Sequence, residues 1–588
     1  MDVVPRSANE NDTHVRAGWA HALSSAERWF ERRPTLVFVL IWLAFDSLLN
    51  ARYPGQEPAF WYLIPSIDVI VIFLCFLLGG QFNWQVPKVA RGVLVAWFFV
   101  VRFLRFGDGL QLRYYGQPFT LYTDLVLVPE LVRFAFATLS WWRFGLLAIG
   151  VGALLACFFI GCYRALGYAE RYLHGARNGL VFGGLAAAAF VVTWLTGHRL
   201  EYDALYPEYA ALYRGGFAAS AMPRLRHELE FLLNVYWKQA DEARVIASTE
   251  ERLSSMPTDL AKLAGKNVHL ILIESYGQTV LDRPLFVDSM RATFDSFESE
   301  LGARGYSIVS DVLDSPTYGG HSWLAHATLG TGVRTANQLD YEVVCAKKPK
   351  AMARFFRDAG YRTVVAQPGT TRPWPKGEFF GFDQKYYLWN FDYVGPRYAW
   401  ATMPDQYVLD FVRRRELSAA QHPLFIQYIL VTSHAPWSDL PPLIDDWSRV
   451  QNGDIYNHVA ATHYPIVWPT FANASGAYID SIKYDFEVLK RYLSDYIVDD
   501  SLLIILGDHQ PVAEVNGHTP AHGVPIHVLS RDPKLLAPFI ARGYTPGLRP
   551  HRTGKRPGLE QFLPDFLADF SSTAPLQSPN APRRPDSR

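Results

Sequence analysis

The sequence predicts a two-part protein: an N-terminal transmembrane domain of five helices, then a C-terminal α/β domain with a mostly parallel sheet. Three observations carry this. Apolar residues make up 49% of the 588-residue chain and aromatics 15%, above the usual share for a soluble globule, and the excess lies before Gly197. Basic residues flank the apolar stretches in alternate loops. After Lys266, short β-rich runs that end in polar residues alternate with helical runs.

Residues 1–33 are polar and carry Arg6, Arg16, Arg28, Arg32 and Arg33. They read as a cytoplasmic segment, because the apolar run of a cleaved signal peptide starts sooner. The transmembrane domain, 34–197, holds five apolar stretches at 34–51, 60–79, 89–104, 140–162 and 178–197, against the about 20 residues that a crossing helix needs. Any one of them alone reads equally as a buried soluble helix; five in succession do not. Lys88 and Arg91 mark the second short loop as cytoplasmic, and Arg164, Arg171 and Arg177 mark the fourth. Five crossings then put everything after Gly197 outside, which is the layout of a multi-pass membrane protein with an extracytoplasmic C-terminal domain.

Residues 105–138 form the second external loop, of which 118–136 reads either as a helix at the membrane surface or as a solvated loop. Asp46, Asp68 and Arg102 lie within apolar runs. Ionisable groups there are either functional or a structural ion pair between helices. Residues 198–265 turn polar and helix-prone and form a juxtamembrane connector along the bilayer. The α/β domain takes 266–570, and 571–588, rich in Ser, Pro and Arg, form a disordered tail. No internal repeat is evident.

Lys and Arg total 56 against 56 Asp and Glu, so no electrostatic footprint for nucleic acid exists. Of the four cysteines, Cys75, Cys157 and Cys162 fall in apolar runs. Cys345 stands alone in the polar half, so no intrachain disulfide staples it, and a domain of this size does without one.

The runs "NVHLILIE", "RTVVAQPG", "PLFIQYILVTSH" and "SLLIILGDH" are hydrophobic strands with polar ends. In parallel sheets ligands gather beyond the carboxyl ends of the strands. Glu274, His434, Asp508 and His509 stand at those ends, and carboxylates with an imidazole have the chemistry to hold a divalent cation. Each alone reads as a helix cap or a solvated group; the joint placement carries the weight. The segment "SPTYGGHSWLAHATLGTG" puts Ser322 at the start of a short apolar helix. There a hydroxyl is either an attacking group favoured by the helix dipole or merely an N-cap.

On these residues the chain resembles the alkaline phosphatase and sulfatase superfamily, and within it the five-helix membrane transferases typified by lipoteichoic acid synthase, a group that moves phosphoglycerol or phosphoethanolamine. Sulfatases place the nucleophile nine residues before a Thr-Gly pair, as Ser322 stands to Thr331 and Gly332. The resemblance implies that Glu274, Ser322, Asp508 and His509 hold one divalent metal, manganese before magnesium or zinc, with Ser322 as nucleophile. It implies that His434 in "TSHAPW" contacts substrate and that Trp374 and Lys376 in "RPWPKGEFFGFD" hold the donor head group, Lys replacing the family's Arg. His522 in "NGHTPAHGVPIHVL" resembles a position used for a second metal or the leaving group, and also reads as a locally bonded loop histidine, as His518 does.

Three departures bear on activity. "SWLAH" lacks the Pro and Arg of the Cys/Ser-x-Pro-x-Arg frame of sulfatases, so sulfate ester hydrolysis is not expected. Lipoteichoic acid synthases carry Thr where this chain has Ser322, and phosphoethanolamine transferases usually carry several disulfides. The implied activity is transfer of a phospholipid head group, phosphoglycerol foremost, to an envelope glycan or lipid hydroxyl. Phosphoethanolamine transfer, phosphodiester hydrolysis and a non-catalytic membrane scaffold are the other readings.

Overall fold

A computed structural model describes residues 32–50, 66–115, 119–125, 141–195, 222–466, 471, 473–497, 499–517, 521–551 and 555–572. The chain divides near Asn234 and Val235 into two compact units.

In the first unit a helix overlaps each of the five apolar stretches: α1 (Pro34–Asn50), α2 (Ile67–Gln81), α3 (Lys88–Tyr115), α4 (Trp141–Leu173) and α5 (Ala176–Leu195). Among the described residues α4 alone is long and apolar enough by itself to cross a bilayer. Its Leu146, Ile149 and Leu154 are 62%, 71% and 69% exposed, a display that a water-soluble surface rarely carries. Two helices outrun the sequence reading. α3 continues to Tyr115 through what is read as the start of a loop at Arg105, and α4 continues to Leu173, so Arg164 and Arg171 lie on helix. Of 118–136 the structure shows one helical turn, Leu121–Asp124; residues 126–136 lie outside the described residues, as do 1–31, 196–221 and the tail from 573.

Several polar groups inside this unit are met by partners, as a low-dielectric setting favours. Asp46 accepts the Ser66 amide at 2.9 Å, and the Ser66 hydroxyl donates to Asp68 at 3.4 Å. Arg105 donates to the Leu49 carbonyl at 3.1 Å. Arg224, fully buried on α6 (Met222–Ser254), donates to Asp108 at 2.7 Å and to Glu228 at 2.8 Å.

The second unit is built on an eight-stranded sheet of order β10-β2-β9-β8-β1-β5-β3-β4. The strands are β1 (Val268–Ile273), β2 (Ser307–Asp314), β3 (Arg362–Gln367), β4 (Gln384–Tyr387), β5 (Leu424–Leu430), β8 (Leu502–Gly507), β9 (Gly523–Ser530) and β10 (Thr545–Pro546); β6 (Asp439–Leu440) and β7 (Thr462–His463) form a separate short ladder. Strands β8, β1, β5, β3 and β4 run parallel, and β9, β2 and β10 add an antiparallel edge. Every residue of β1, β5 and β8 is buried, which is why they read as unbroken apolar runs. Helices α7 (Pro284–Ala303), α11 (Asp405–Arg415) and α12 (Ser475–Asp495) feed one core. α8 (Ser322–Thr331), α9 (Gln338–Lys347), α10 (Met352–Asp358) and α13 (Phe562–Phe570) feed the other.

Register positions the site. Ile273 pairs with both Leu430 and Gly507, so three central strands end level and their next residues, Glu274, Val431 and Asp508, stand side by side about 5 Å apart.

Candidate active site

Glu274 leaves β1 and Asp508 and His509 leave β8, while Ser322 opens α8 from across the crevice. Gly507 is required just before Asp508, because a Cβ there would lie 1.8 Å from the Tyr276 carbonyl oxygen. Ser275, at φ 58°, turns its amide onto Asp508 Oδ1 at 2.8 Å, and the His509 amide reaches the same oxygen at 2.7 Å. Those two bonds fix the carboxylate.

His321, at φ 61°, is the N-cap of α8 and offers no side-chain cap bond. Ser322 is therefore the first helical residue, and its hydroxyl is not engaged in capping. Its Oγ lies 2.9 Å and 3.1 Å from the Glu274 carboxylate oxygens and 3.1 Å from His509 Nε2. His509 Nδ1–H donates to the Gln510 carbonyl at 2.8 Å, which turns Nε2 toward Ser322 and Glu274, the latter at 3.1 Å. Ligand atoms of Glu274, Asp508 and His509 all lie within 4.8 Å of one another, and all three residues are buried. Two carboxylates, one imidazole nitrogen and a hydroxyl fit a hard or borderline divalent cation.

The electrostatics agree with that fit. Burial, and then the charge of Glu274, push Asp508 up to about 8. Burial alone would lower His509, but Asp508 and Glu274 raise it to about 9. Burial also acts upward on Glu274, yet His434 and His509 hold it well below the usual carboxylate range. Alone, the cluster balances its negative charge with protons; a cation takes their place. Below both values a binding cation must displace up to two protons. Apparent cation affinity is therefore expected to rise by up to about 100-fold per pH unit between about pH 6 and 8 and to level off above about pH 9. Calorimetric titration of the full chain in buffers of different ionisation enthalpy measures this, and an affinity flat across that range refutes it.

The remaining expected residues are placed as follows. His434 Nδ1–H donates to the Ala435 carbonyl at 2.6 Å, and its ring stacks on Trp400 at 3.9 Å between centroids. His522 Nδ1–H donates to the Ser315 carbonyl at 3.2 Å, and the Ser315 hydroxyl donates to the Asp508 carbonyl at 2.6 Å. Trp374 lines a cavity of about 10 Å³ with His326, Gln367 and Gln427, room for about one water. Lys376 is exposed at the surface and pairs with Glu342. Asp383, in the turn after Gly381, is spent on the amide and hydroxyl of Thr363.

Two neighbours went unread in the sequence. His326 is buried, with Nε2 3.9 Å from Asp508 Oδ2 and no hydrogen-bond partner among the described residues; burial pushes it down to about 4, so it is neutral. Its signal was available, since it follows Ser322 by one helical turn on the same face. Trp400 had none, because nothing local ties it to His434.

The parallel sheet gathers a helix-borne serine, two carboxylates and an imidazole at its strand ends, a set of groups suited to metal-assisted group transfer. Residues 319–543 match the family model described as Sulfatase, and they include Ser322, Asp508 and His509, though not Glu274. The match lies wholly within the C-terminal domain. No curated protein matches the chain. Among solved structures, it is similar to the lipoteichoic acid synthase LtaP of Listeria monocytogenes, at 16% identity and TM-score 0.33 over 51% of this chain and 76% of that one. The integral membrane lipooligosaccharide phosphoethanolamine transferase A of Neisseria meningitidis matches at 14% identity and TM-score 0.44 over 91% of this chain and 95% of that one. The phosphoglycerol transferase GacH of Streptococcus pyogenes matches at 13% and 0.32, over 56% of this chain and 92% of that one.

Proposed function

We propose that this protein is a multi-pass enzyme of a bacterial inner membrane whose periplasmic domain transfers a phospholipid head group through a covalent intermediate on Ser322. The observation that carries the reading is the Ser322 hydroxyl, 2.9 Å from Glu274 and 3.1 Å from His509, at the mouth of a buried acid and histidine cluster. When bound, a divalent cation lowers the pKa of a hydroxyl and neutralises phosphate charge. Glu274, Ser322, Asp508 and His509 would hold it; manganese is favoured by resemblance, and the donor set suits magnesium and zinc as well.

Ser322 Oγ attacks the phosphorus of the donor phosphodiester, and Glu274, held ionised, lies where the departing hydroxyl proton can go. The new bond is Oγ–P; the bond broken is P–O to diacylglycerol, whose oxygen leaves with a proton. His434 and His522 each keep Nε2 clear of the bond that Nδ1–H makes, so each, once also protonated at Nε2, can donate to that oxygen or to the phosphoryl group. An acceptor hydroxyl on a glycan or lipid then attacks the same phosphorus and releases Ser322. Trp374 contacts the head group, and Lys376 joins it only after leaving Glu342. Apolar helices on the same chain keep this chemistry beside a donor that stays in its bilayer.

Phosphatidylglycerol is the donor of choice and phosphatidylethanolamine the second. Full-length protein incubated with each head-group-labelled lipid is expected to release diacylglycerol from the first faster. Loss of label from neither lipid sinks the transferase reading, whereas free glycerol phosphate with no labelled product identifies a hydrolase of the same fold.

A further inference from the structure

Beneath the loop that carries His434 lies a carboxyl pair that the reaction does not use. Asp405, first residue of α11, accepts the Val431 amide at 2.9 and 3.1 Å and the Thr432 amide at 2.7 Å. Asp485 on α12 is fully buried, and neither of its oxygens has a hydrogen-bond donor among the described residues. The Ser433 hydroxyl, also fully buried, lies beside Asp485 and can offer it one neutral hydrogen bond at most. Among the described residues, the phenols of Tyr456 and Tyr484 also face the pair, and neither brings positive charge. A bare carboxylate in such a place is untenable, and a proton is the least costly remedy. Burial, with Asp405 next to it, does push the Asp485 carboxyl far above its ordinary value.

We infer that Asp485 is a positioning residue: it stays protonated, donates to Asp405, and so ties the Val431–Thr432 backbone, and with it His434, to α12. The same helix reaches the other side of the site, where the Tyr478 hydroxyl donates to the Ser275 carbonyl at 2.9 Å. One shared proton thus couples the His434 loop to the helix that braces the residue after Glu274.

The activity arm of the test rests on the proposed transfer, but the stability arm does not, so the two can fail separately. Unfolded, Asp485 releases its proton above about pH 4, so the parent loses stability as pH climbs from there toward the raised folded value. An amide carries its hydrogen at every pH. D485N in the full chain is therefore expected to melt about 2 °C or more above the parent near pH 8, the gain fading toward about pH 5. It should also keep kcat within about threefold of the parent and lack any alkaline loss of kcat that the parent shows. D405N, which turns a donor toward the Val431 and Thr432 amides, is expected to melt lower at every pH. A D485N that melts below the parent near pH 8, or that binds less metal than the parent, overturns the inference and points to a cation between the two carboxyls. So does a D405N that is the milder of the two.

Discussion

Ser322→Ala is expected to lower head-group transfer by at least about 10³-fold, roughly 4 kcal/mol of barrier, since removal of a nucleophile leaves only binding and electrostatic stabilisation. Fold and cation should survive. His321, not Ser322, occupies the N-cap position of α8, so the substitution removes no cap bond and its effect on stability should stay within about 0.5 kcal/mol, against the about 1 kcal/mol typical of a lost serine cap. Glu274, Asp508 and His509 remain, so bound metal should weaken without disappearing. Initial rates on labelled lipid, with mass spectrometry of the peptide that contains residue 322, separate the possibilities. The parent should carry a phosphorus adduct on Ser322 under single-turnover conditions and the variant none. A variant that turns over like the parent ends the case for Ser322.

Glu274→Gln is expected to cost more than about 100-fold in cation affinity, the upper end for a residue that merely supports a ligand, and to take activity down with it. The shape of the side chain is kept, while the buried cluster loses one of its two carboxylates. A second consequence follows in the opposite direction: the charge of Glu274 is, after burial, the main cause that raises Asp508. Without it, Asp508 titrates lower, so cation binding by the variant should release fewer protons near neutral pH. Metal content after dialysis reports the first effect, and the buffer dependence of the binding enthalpy reports the second. Full metal occupancy in the variant would mean that Glu274 is not a ligand.

Much of the site was legible because polar stops on apolar strands are local signals. Glu274, Asp508 and His509 each end a run whose every residue is buried, and a helix start after two glycines marks Ser322. The antiparallel edge was less visible, because β2 carries Ser310 and Asp311 among its apolar residues and β9 carries Pro525 and His527. His527, for example, is buried between Ser310 and Tyr276, at 2.7 and 3.0 Å, where it replaces an apolar contact with hydrogen bonds. The ends of α3 and α4 were misplaced for another reason. Arginine in a helix is a cost only where nothing pairs with it, and Arg91, for one, meets Glu170 on α4.

By itself the sequence determined the chemistry at hand: apolar helices before a parallel-sheet domain, with acids, an imidazole and a hydroxyl at element ends. Only the tertiary structure decided that Ser322 does no capping, that His326 and Trp400 adjoin the site, and that Asp485 lies buried beside Asp405. Periodicity and strand ends are written within a few residues. By contrast, which side chains meet depends on strand register and on contacts between segments far apart in the chain, and no local pattern encodes those distances.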